Sequence, residues 1–272
     1  IKWSDGGDFT TKDILGTYNI YWAQSGSAWT YITDIKVVDA QVITFTLNNV
    51  SITPIRTILK VNQIFPYAQY GKWMDQAGEL RKANTDRKGD VVKKFLDDLY
   101  AFKPTDTVVM GPYKIDTKSV TEAQLTLKKN PTGYNADKID FDTLTMYYGE
   151  TTATVPLVLA GNIDYSTHGF TPANIKAFTA LPEIKIIYGP TGTGPGFWFN
   201  QNMYPNSVKE FRQALAYIID RDENGKVSLG DAGKGLKYMA GFTDAAVETW
   251  LSKEAIAKLN PYKKDLKKAE EL

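Results

Sequence analysis

The sequence predicts an α/β protein of two lobes, and three observations support this fold class. The chain has 272 residues, of which 43% are hydrophobic, so it exceeds one typical domain and provides for one large core or two modest ones. Residues 1–107 have the pattern of a small α/β lobe, in which helices surround an antiparallel ribbon. From Phe141 onward, strand and helix patterns alternate as in α/β proteins with crossover connections.

The first helix is predicted by its N-terminal signals. Thr10 is a capping residue, and Asp13 occupies the third helical position, which together make a capping box. Phe9 before the cap and Ile14 after it form a hydrophobic staple. These signals predict a helix over residues 11–22.

An antiparallel ribbon follows this helix. Residues 32–38 and 41–47 alternate apolar and polar side chains, as half-buried strands do. Residues 91–102 then place apolar side chains at helical spacing, and Pro104 ends that helix. We expect the polar stretch of residues 71–89 to be irregular.

The middle of the chain begins at Gly111 and Pro112, which predict a turn into a hairpin over residues 113–128. The alternating elements that follow are strands over residues 143–148, 163–166 and 184–188 and helices over residues 152–160 and 172–181. Thr171 and Pro172 are suited to the cap and the first position of the second helix.

The last part predicts a strand over residues 197–200 and then helices. Ser207 and Glu210 have the spacing of a capping box, and the helix that they open turns Phe211, Leu215 and Ile218 inward. Two further helices are expected over residues 244–259 and from residue 263 to the end.

Charge and composition exclude several classes of function. Lys and Arg total 32 and Asp and Glu total 31, so no summed positive field favours nucleic acid. The chain has no cysteine and one histidine, which excludes thiolate chemistry and histidine-rich zinc sites. No run approaches the ~18 apolar residues of a membrane-spanning helix. We expect no cofactor and no catalytic residues.

Two loop motifs have alternative interpretations. Residues 192–196 read GTGPG, but aromatic residues follow where a phosphate-binding loop requires a helix, so a flexible crossover explains the glycines better. Residues 220–231 place acidic and amide side chains at positions one, three, five and twelve and glycine at six, close to an EF-hand loop. Asp231 replaces the usual final glutamate, and glycines follow it, so calcium binding stays open.

Aromatic side chains supply candidates for a binding cleft. In a strand over residues 197–200, Phe197 and Phe199 face one side, while Trp198 and Asn200 face the other. Most of the aromatic residues, which occur in local groups, are expected to be core. Trp198 and Asn200 are the favoured ligand-facing pair.

Four short signatures carry a family resemblance. Residues 1–14 read IKWSDGGDFTTKDI, residues 111–113 read GPY, residues 161–165 read GNIDY, and residues 197–221 read FWFNQNMYPNSVKEFRQALAYIIDR. In this order and at these separations, the chain resembles the extracellular solute-binding proteins, family 5, of ABC importers. That family includes the oligopeptide, dipeptide, nickel and cellobiose receptors.

The resemblance implies a particular fold and domain organisation. The expected fold is periplasmic-binding-protein-like, of class II and the large peptide-receptor type, with mixed sheets and flanking helices. The resemblance also implies a truncated chain. Residues 1–108 would form a small α/β lobe, residues 109–200 part of the main ligand-binding lobe, and residues 201–272 the incomplete start of the second lobe.

The resemblance also implies a function. The chain would belong to a receptor, not an enzyme, that captures oligopeptides by hinge closure and delivers them to an ABC permease. It would be a monomeric extracellular or periplasmic protein, anchored to the membrane through a missing N-terminal segment. An oligosaccharide receptor of the same family is the alternative; an extracellular glycan or peptide hydrolase and an adhesive module are less favoured.

The resemblance adds Tyr165, His168 and Phe170 to the candidate ligand-binding residues. In peptide receptors of this family, the loop after the G-x-I-D strand lies at the cleft, although His168 alone would be taken for an exposed loop residue. The predicted set is Trp198, Asn200, Tyr165, His168, Phe170, Trp29 and Tyr31.

Overall fold

The computed structural model describes residues 1–50, 53–61, 63–167, 169–189, 196–230 and 233–272. The chain divides into two compact units, Ile1–Tyr148 and Gly149–Leu272. These are the N-terminal and the C-terminal unit.

The described residues of the N-terminal unit form four helices and five strands. The helices are α1 (Thr11–Ala23), α2 (Thr53–Leu59), α3 (Tyr67–Lys82) and α4 (Asp90–Ala101). The strands are β1 (Ile32–Val37), β2 (Ile43–Leu47), β3 (Tyr113–Asp116), β4 (Gln124–Lys129) and β5 (Thr143–Tyr147), and short 3-10 turns cover Ser27–Thr30, Thr117–Ser119 and Ala136–Lys138.

Helix α1 begins as its sequence predicts. The Thr10 hydroxyl accepts from the Lys12 amide, and the Thr10 amide donates to Asp13 Oδ2 at 2.8 Å, which completes the capping box. The other oxygen of Asp13 accepts from the Tyr67 amide at 2.8 Å, the first residue of α3. The buried Asp13 carboxylate therefore starts one helix and joins it to another.

Helix α3 shows that the predicted irregular structure is wrong for residues 71–82, whereas residues 83–89 form no helix or strand. A glycine on each helix allows α1 and α3 to approach closely: a Cβ on Gly16 of α1 would lie 2.3 Å from Met74 Sδ, and one on Gly78 of α3 would lie 2.8 Å from Asn19 Nδ2. Burial of Trp73 and Met74 in this contact outweighs the weak helix propensity of the glycines.

Two antiparallel sheets form in the N-terminal unit. Strand β1 pairs with β2, with Ile35 opposite Phe45, which confirms the predicted ribbon. Strand β4 pairs with β3 on one side and with β5 on the other. The predicted hairpin and the predicted strand after residue 142 are therefore confirmed, and they share one sheet.

Two clusters of buried side chains hold this unit together. The larger cluster joins α1, α3 and α4 and consists of Ile20, Trp22, Ala23, Trp73, Met74, Ala77, Val92, Phe95 and Leu99. The smaller cluster lies against the ribbon and consists of Tyr18, Ala28, Ile32, Ile35 and Ile58. Helix α4 contributes to the larger cluster the apolar face that its sequence predicts.

The C-terminal unit consists of helices and connecting segments. The helices are α5 (Thr151–Leu159), α6 (Pro172–Thr179), α7 (Lys209–Ile218), α8 (Arg221–Leu229), α9 (Asp244–Trp250), α10 (Lys253–Ile256) and α11 (Leu266–Glu270). Thr171 caps α6 through the Asn174 amide, and Pro172 opens that helix, as predicted. Among the described residues, no helix of the chain is long and apolar enough to cross a membrane.

Several local predictions for this unit are wrong. Residues 163–166, 184–188 and 197–200 form no strand, because no second strand pairs with them within the described part of the chain. The Ser207 amide donates to the Met203 carbonyl at 2.8 Å, so Ser207 still belongs to the preceding turn, and α7 begins after Val208 without a capping box.

The inward face of α7 also differs from the prediction. Ile218 is exposed, while Ala216 and Tyr217 are the buried residues of this helix. Tyr217 packs on Tyr262 with ring centroids 5.1 Å apart, which fixes the helix by a different face.

Candidate functional site

Trp198 and Asn200 lie in an exposed extended segment of the C-terminal unit. Trp198 is 97% exposed, and Asn200 Oδ1 accepts from the Asn202 amide at 3.1 Å. The rings of Phe197 and Phe199 stack on one another with centroids 6.3 Å apart, so these two residues share one side as the alternation predicts. The Trp198 ring is therefore available to a flat or apolar ligand group.

The segment after GNIDY brings two further predicted residues into the same unit. Tyr165 is 79% exposed. Phe170 packs edge-on against the buried Phe178 of α6, with ring centroids 4.9 Å apart. His168, the third predicted residue of this loop, lies outside the described residues. Tyr165 thus presents a free surface, whereas Phe170 contributes to the packing of α6.

Trp29 and Tyr31 belong to the N-terminal unit and have structural contacts there. The Trp29 indole donates to the Tyr18 carbonyl at 2.8 Å, and the Arg81 guanidinium lies 5.2 Å from the centre of its ring. Tyr31 is half-buried, and its carbonyl accepts from the Asn48 amide. The contacts of Trp29 join α1, α3 and the turn Ser27–Thr30.

Arg221, the last residue of the longest signature, binds the chain's own backbone. Its guanidinium donates to the carbonyls of Ala216, Leu236, Pro261 and Tyr262 at 2.8 to 3.2 Å. Sequence reasoning assigned no partner to this side chain, since its acceptors lie up to 41 residues away. Arg221 therefore holds the end of α7 to two later segments.

The stretch that resembles a calcium loop is helical for most of its length. Asp220 caps α8 by accepting from the Glu223 amide at 3.0 Å, and this bond, with Lys264 nearby, holds the pKa of the Asp220 carboxyl below its usual value. Asp222 accepts from the Gly235 amide. The described part of the chain holds no group of three or more metal-ligating side chains, and Asp231 lies outside it. A helical Arg221–Leu229 does not provide the looped backbone of an EF-hand site.

Next to this stretch, α7 and α11 meet around a tyrosine hydroxyl. Hydrogen bonds from Asn260 and Lys268 lower the pKa of the Tyr217 hydroxyl, and the same contact raises the pKa of Lys268. The Lys268 ammonium lies 5.0 Å from the centre of the Tyr217 ring. This cluster supports α7 and makes no contact with Trp198 or Tyr165 among the bonds of the described residues.

Two surface grooves of the N-terminal unit contain none of the predicted ligand residues. The larger, of about 440 Å³, is lined by Ser4, Thr105, Asp106, Pro131 and residues 114–118 and 128–130. Its Lys114 and Lys128 are paired with Asp106 and Asp116 at 2.6 and 2.7 Å. The smaller, of about 380 Å³, lies beside Trp22 and residues 84–88.

Comparison with solved structures defines the class of this fold. A periplasmic oligopeptide-binding protein of an ABC transporter from Thermotoga maritima superposes with a TM-score of 0.73 at 18% identity, over 100% of this chain and 48% of that one. The oligopeptide-binding protein AppA from Bacillus subtilis, in complex with a nonapeptide, gives a TM-score of 0.69 at 17% identity, over 100% and 49% of the two chains. The fold is therefore that of the class II periplasmic binding proteins, with mixed helices and sheets.

The family model of the bacterial extracellular solute-binding proteins, family 5 middle, matches residues 1–272. The chain belongs to this family, which confirms the resemblance carried by the four signatures. The family comprises extracellular binding proteins of ABC transporters. No curated protein matches the sequence. The chain spans about half the length of the solved structures that it matches.

The solved structures differ in their ligands. A second structure of the Thermotoga maritima protein contains mannohexaose and superposes with a TM-score of 0.71 at 19% identity, over 100% of this chain and 48% of that one. NikZ from Campylobacter jejuni, in complex with Ni(L-His), gives a TM-score of 0.65 at 16% identity, with coverage of 100% and 48%. At these identities the likeness establishes the fold and leaves the ligand of this chain open.

Proposed function

We propose that this chain is part of the extracellular substrate-binding component of an ABC importer that captures oligopeptides and delivers them to a membrane permease. One observation carries the proposal: the family model matches the whole chain. The receptor works without breaking a bond, because ligand contacts that form only in the closed state shift the population toward closure. The receptor acts as a monomer, and its membrane anchor stays a prediction from the family.

The domain organisation belongs to the same proposal. Residues 1–108 are the small lobe, residues 109–200 are part of the main ligand-binding lobe, and residues 201–272 begin the second lobe. The compact units of the structure divide after Tyr148, which is a division by packing and not by ligand contacts. Ligand-bound structures of the complete receptor test the lobe boundaries.

Trp198 is the residue to which we assign the largest share of ligand contact. An indole that is 97% exposed has a large apolar surface to lose on binding. Asn200 and Tyr165 are assigned to the same surface, since both are exposed in the same unit. Phe170, Trp29 and Tyr31 take a smaller share, because each packs or bonds within its own unit. His168 completes the proposed set.

Calorimetry on the complete receptor tests this function. Pooled peptides of about nine residues, as in the peptide-bound relative, and mannohexaose are titrated separately, and each protein–ligand mixture is also unfolded thermally. A true ligand at about 100 times its Kd stabilises the folded state by about 2.7 kcal/mol. Saturable heat and stabilisation with peptides alone support the proposal. Cleavage of the peptide by the pure receptor contradicts it.

The variant Trp198→Ala locates the site. It is expected to weaken binding about tenfold to hundredfold without a change in the unfolding temperature of the unliganded protein. Trp250→Ala is the matched control, because Trp250 is also exposed in the C-terminal unit and is assigned no ligand contact. Equal losses in the two variants would remove Trp198 from the site.

An oligosaccharide receptor of the same family is the second candidate. The observation that favours it is the solved relative that contains mannohexaose. Sugars stack on aromatic faces, so Trp198→Phe would retain part of the affinity for a sugar. Saturable heat with mannohexaose and none with peptides would replace the first proposal by this one.

A further inference from the structure

The connection between α4 and β3 is bound to its surroundings along most of its length. It comprises residues 104–112 and joins the helical part of the N-terminal unit to its three-stranded sheet. Connections of this kind are exposed and mobile unless side chains bind their backbone. Here four separate parts of the unit supply such bonds.

Gln69, in the first turn of α3, binds the centre of the connection through both the nitrogen and the oxygen of its side-chain amide. Its Nε2 donates to the Asp106 carbonyl at 2.6 Å, and its Oε1 accepts from the Val108 amide at 3.2 Å. Only an amide side chain provides a donor and an acceptor in this arrangement. A glutamate of the same shape would bring a carboxylate against the Asp106 carbonyl.

The helix that carries Gln69 is itself fixed at this end. The Tyr67 amide, two residues before Gln69, donates to the buried Asp13 carboxylate of α1. A backbone bond from Gln69 to the Pro66 carbonyl closes the first turn. The bonds of Gln69 to the connection therefore start from a helix end that is itself bound to α1.

The flanks of the connection are bound from two other directions. The Thr117 hydroxyl donates to the Thr105 carbonyl at 2.6 Å. At the other flank, the Ser4 amide donates to the Val109 carbonyl at 2.8 Å, and the Val109 amide donates to the Ser4 hydroxyl at 3.1 Å. Thus the 3-10 turn that follows β3 holds one flank, and the N-terminal segment holds the other.

The GPY signature continues this series of bonds. The Asn130 side chain donates to the Gly111 carbonyl, and the Tyr134 amide donates to the Met110 carbonyl at 2.7 Å. A Cβ on Gly133 would lie 2.2 Å from the Gly111 carbonyl oxygen, so the two backbones touch where only glycine fits.

We propose that Gln69 is a positioning residue that locks this connection, so that residues 1–103 and 113–148 move as one rigid body. The lock is a property of the N-terminal unit and does not depend on which ligand is bound. In the receptor that we propose, residues 104–112 are then not a hinge, and ligand-driven motion takes place elsewhere in the chain. The exposed Lys114–Asp106 ion pair adds little, because surface pairs are weak.

Paired spin labels test the lock directly. The chain has no cysteine, so Lys94→Cys on α4 and Thr145→Cys on β5 create the only thiols, both at exposed positions on opposite sides of the connection. The complete chain is expected to give one narrow distance distribution. Gln69→Glu is expected to broaden it or add a second distance. Gln76→Ala, an exposed amide on the same helix, and Lys114→Gln are expected to leave it unchanged.

Hydrogen exchange gives an independent measurement. Gln69→Ala is expected to raise the exchange rate of the Val108 amide about tenfold, while amides in the middle of α1 keep their rates. A broad or double distance distribution in the doubly labelled chain that keeps Gln69 overturns the proposal whether or not the Gln69 variants fold. So does a Gln69→Ala protein whose Val108 exchange and label distances are unchanged. Neither outcome affects the ligand titrations above.

Discussion

Trp73 and Trp198 illustrate the difference between the two units of this chain. Trp73 is 9% exposed and lies in the larger core cluster of the N-terminal unit. Trp198 is 97% exposed in the C-terminal unit. The same side chain therefore stabilises one unit and is available for binding in the other.

The contrast extends beyond these two residues. Among the residues that the structure describes, both core clusters and both sheets belong to the N-terminal unit. In the described part of the C-terminal unit, the apolar side chains of Phe178, Ala216, Tyr217 and Val247 are buried, while Ile187, Phe197 and Trp250 are exposed. An amphipathic segment becomes a stable element only when its apolar face and its backbone both find partners. The N-terminal unit meets this condition, and the extended segments of the C-terminal unit do not.

The largest expected difference comes from the same substitution in each unit. Phe95→Ala removes a ring that is 1% exposed and is expected to lower the free energy of unfolding by about 3–5 kcal/mol. Phe197→Ala removes a ring that is 74% exposed and is expected to change it by less than about 0.5 kcal/mol. Urea unfolding followed by circular dichroism measures both. Similar losses would show that the two units do not differ in packing as described.

A smaller effect is expected from the carboxylate that joins α1 and α3. Asp13→Ala leaves the Thr10 and Tyr67 amides without their acceptor and is expected to cost about 1–3 kcal/mol. Asp34→Ala, at an exposed position of β1, is the control and is expected to cost less than about 0.5 kcal/mol. Thermal unfolding of the two variants decides whether the buried bond carries this stability.

The smallest effect concerns alkaline pH. Burial, with a contribution from Tyr21, raises the pKa of the Tyr18 hydroxyl from about 10 to about 12. The folded state thus favours the neutral hydroxyl, which donates to the Ile58 carbonyl. Its contribution is complete below about pH 10 and is lost as the pH rises toward 12.

Thermal unfolding across this pH range checks the prediction. The midpoint of the unsubstituted chain is expected to fall above about pH 10 more steeply than that of Tyr18→Phe. Tyr165→Phe, which alters an exposed ring of the C-terminal unit, is expected to follow the unsubstituted chain. Identical slopes for Tyr18→Phe and the unsubstituted chain would refute the assignment.

The sequence predicted those helices whose position is determined by neighbouring residues. The capping box of Thr10 and Asp13, the apolar face of α4 and the Thr171–Pro172 start of α6 were each predicted from a few neighbouring residues, and each is confirmed. Helix α3 was missed because its glycines lower its propensity, while its stability comes from packing on α1. Residues 184–188 show the opposite error, since an alternating pattern cannot supply a partner strand.

Less of the candidate site than of the fold could be predicted from the sequence. Alternation predicted that Phe197 and Phe199 share a side, and their stacked rings confirm it. The contacts of Trp29 with Tyr18 and Arg81 join residues up to 52 positions apart, and no local pattern contains such information. The assignment of all seven site residues to a ligand stays a prediction.

The Asp13 carboxylate also has a consequence for the order of folding. One of its oxygens bonds three residues away within α1, and the other bonds across 54 residues to α3. The first bond forms together with the first turn of α1, whereas the second must await closure of a long loop, which slows folding. The folding and unfolding rates of Asp13→Ala and Thr10→Ala would distinguish the contribution of the bond within the first turn of α1 from that of the bond to α3. Thr10→Ala would slow folding if α1 nucleates early, and the additional effect of Asp13→Ala would fall on the unfolding rate.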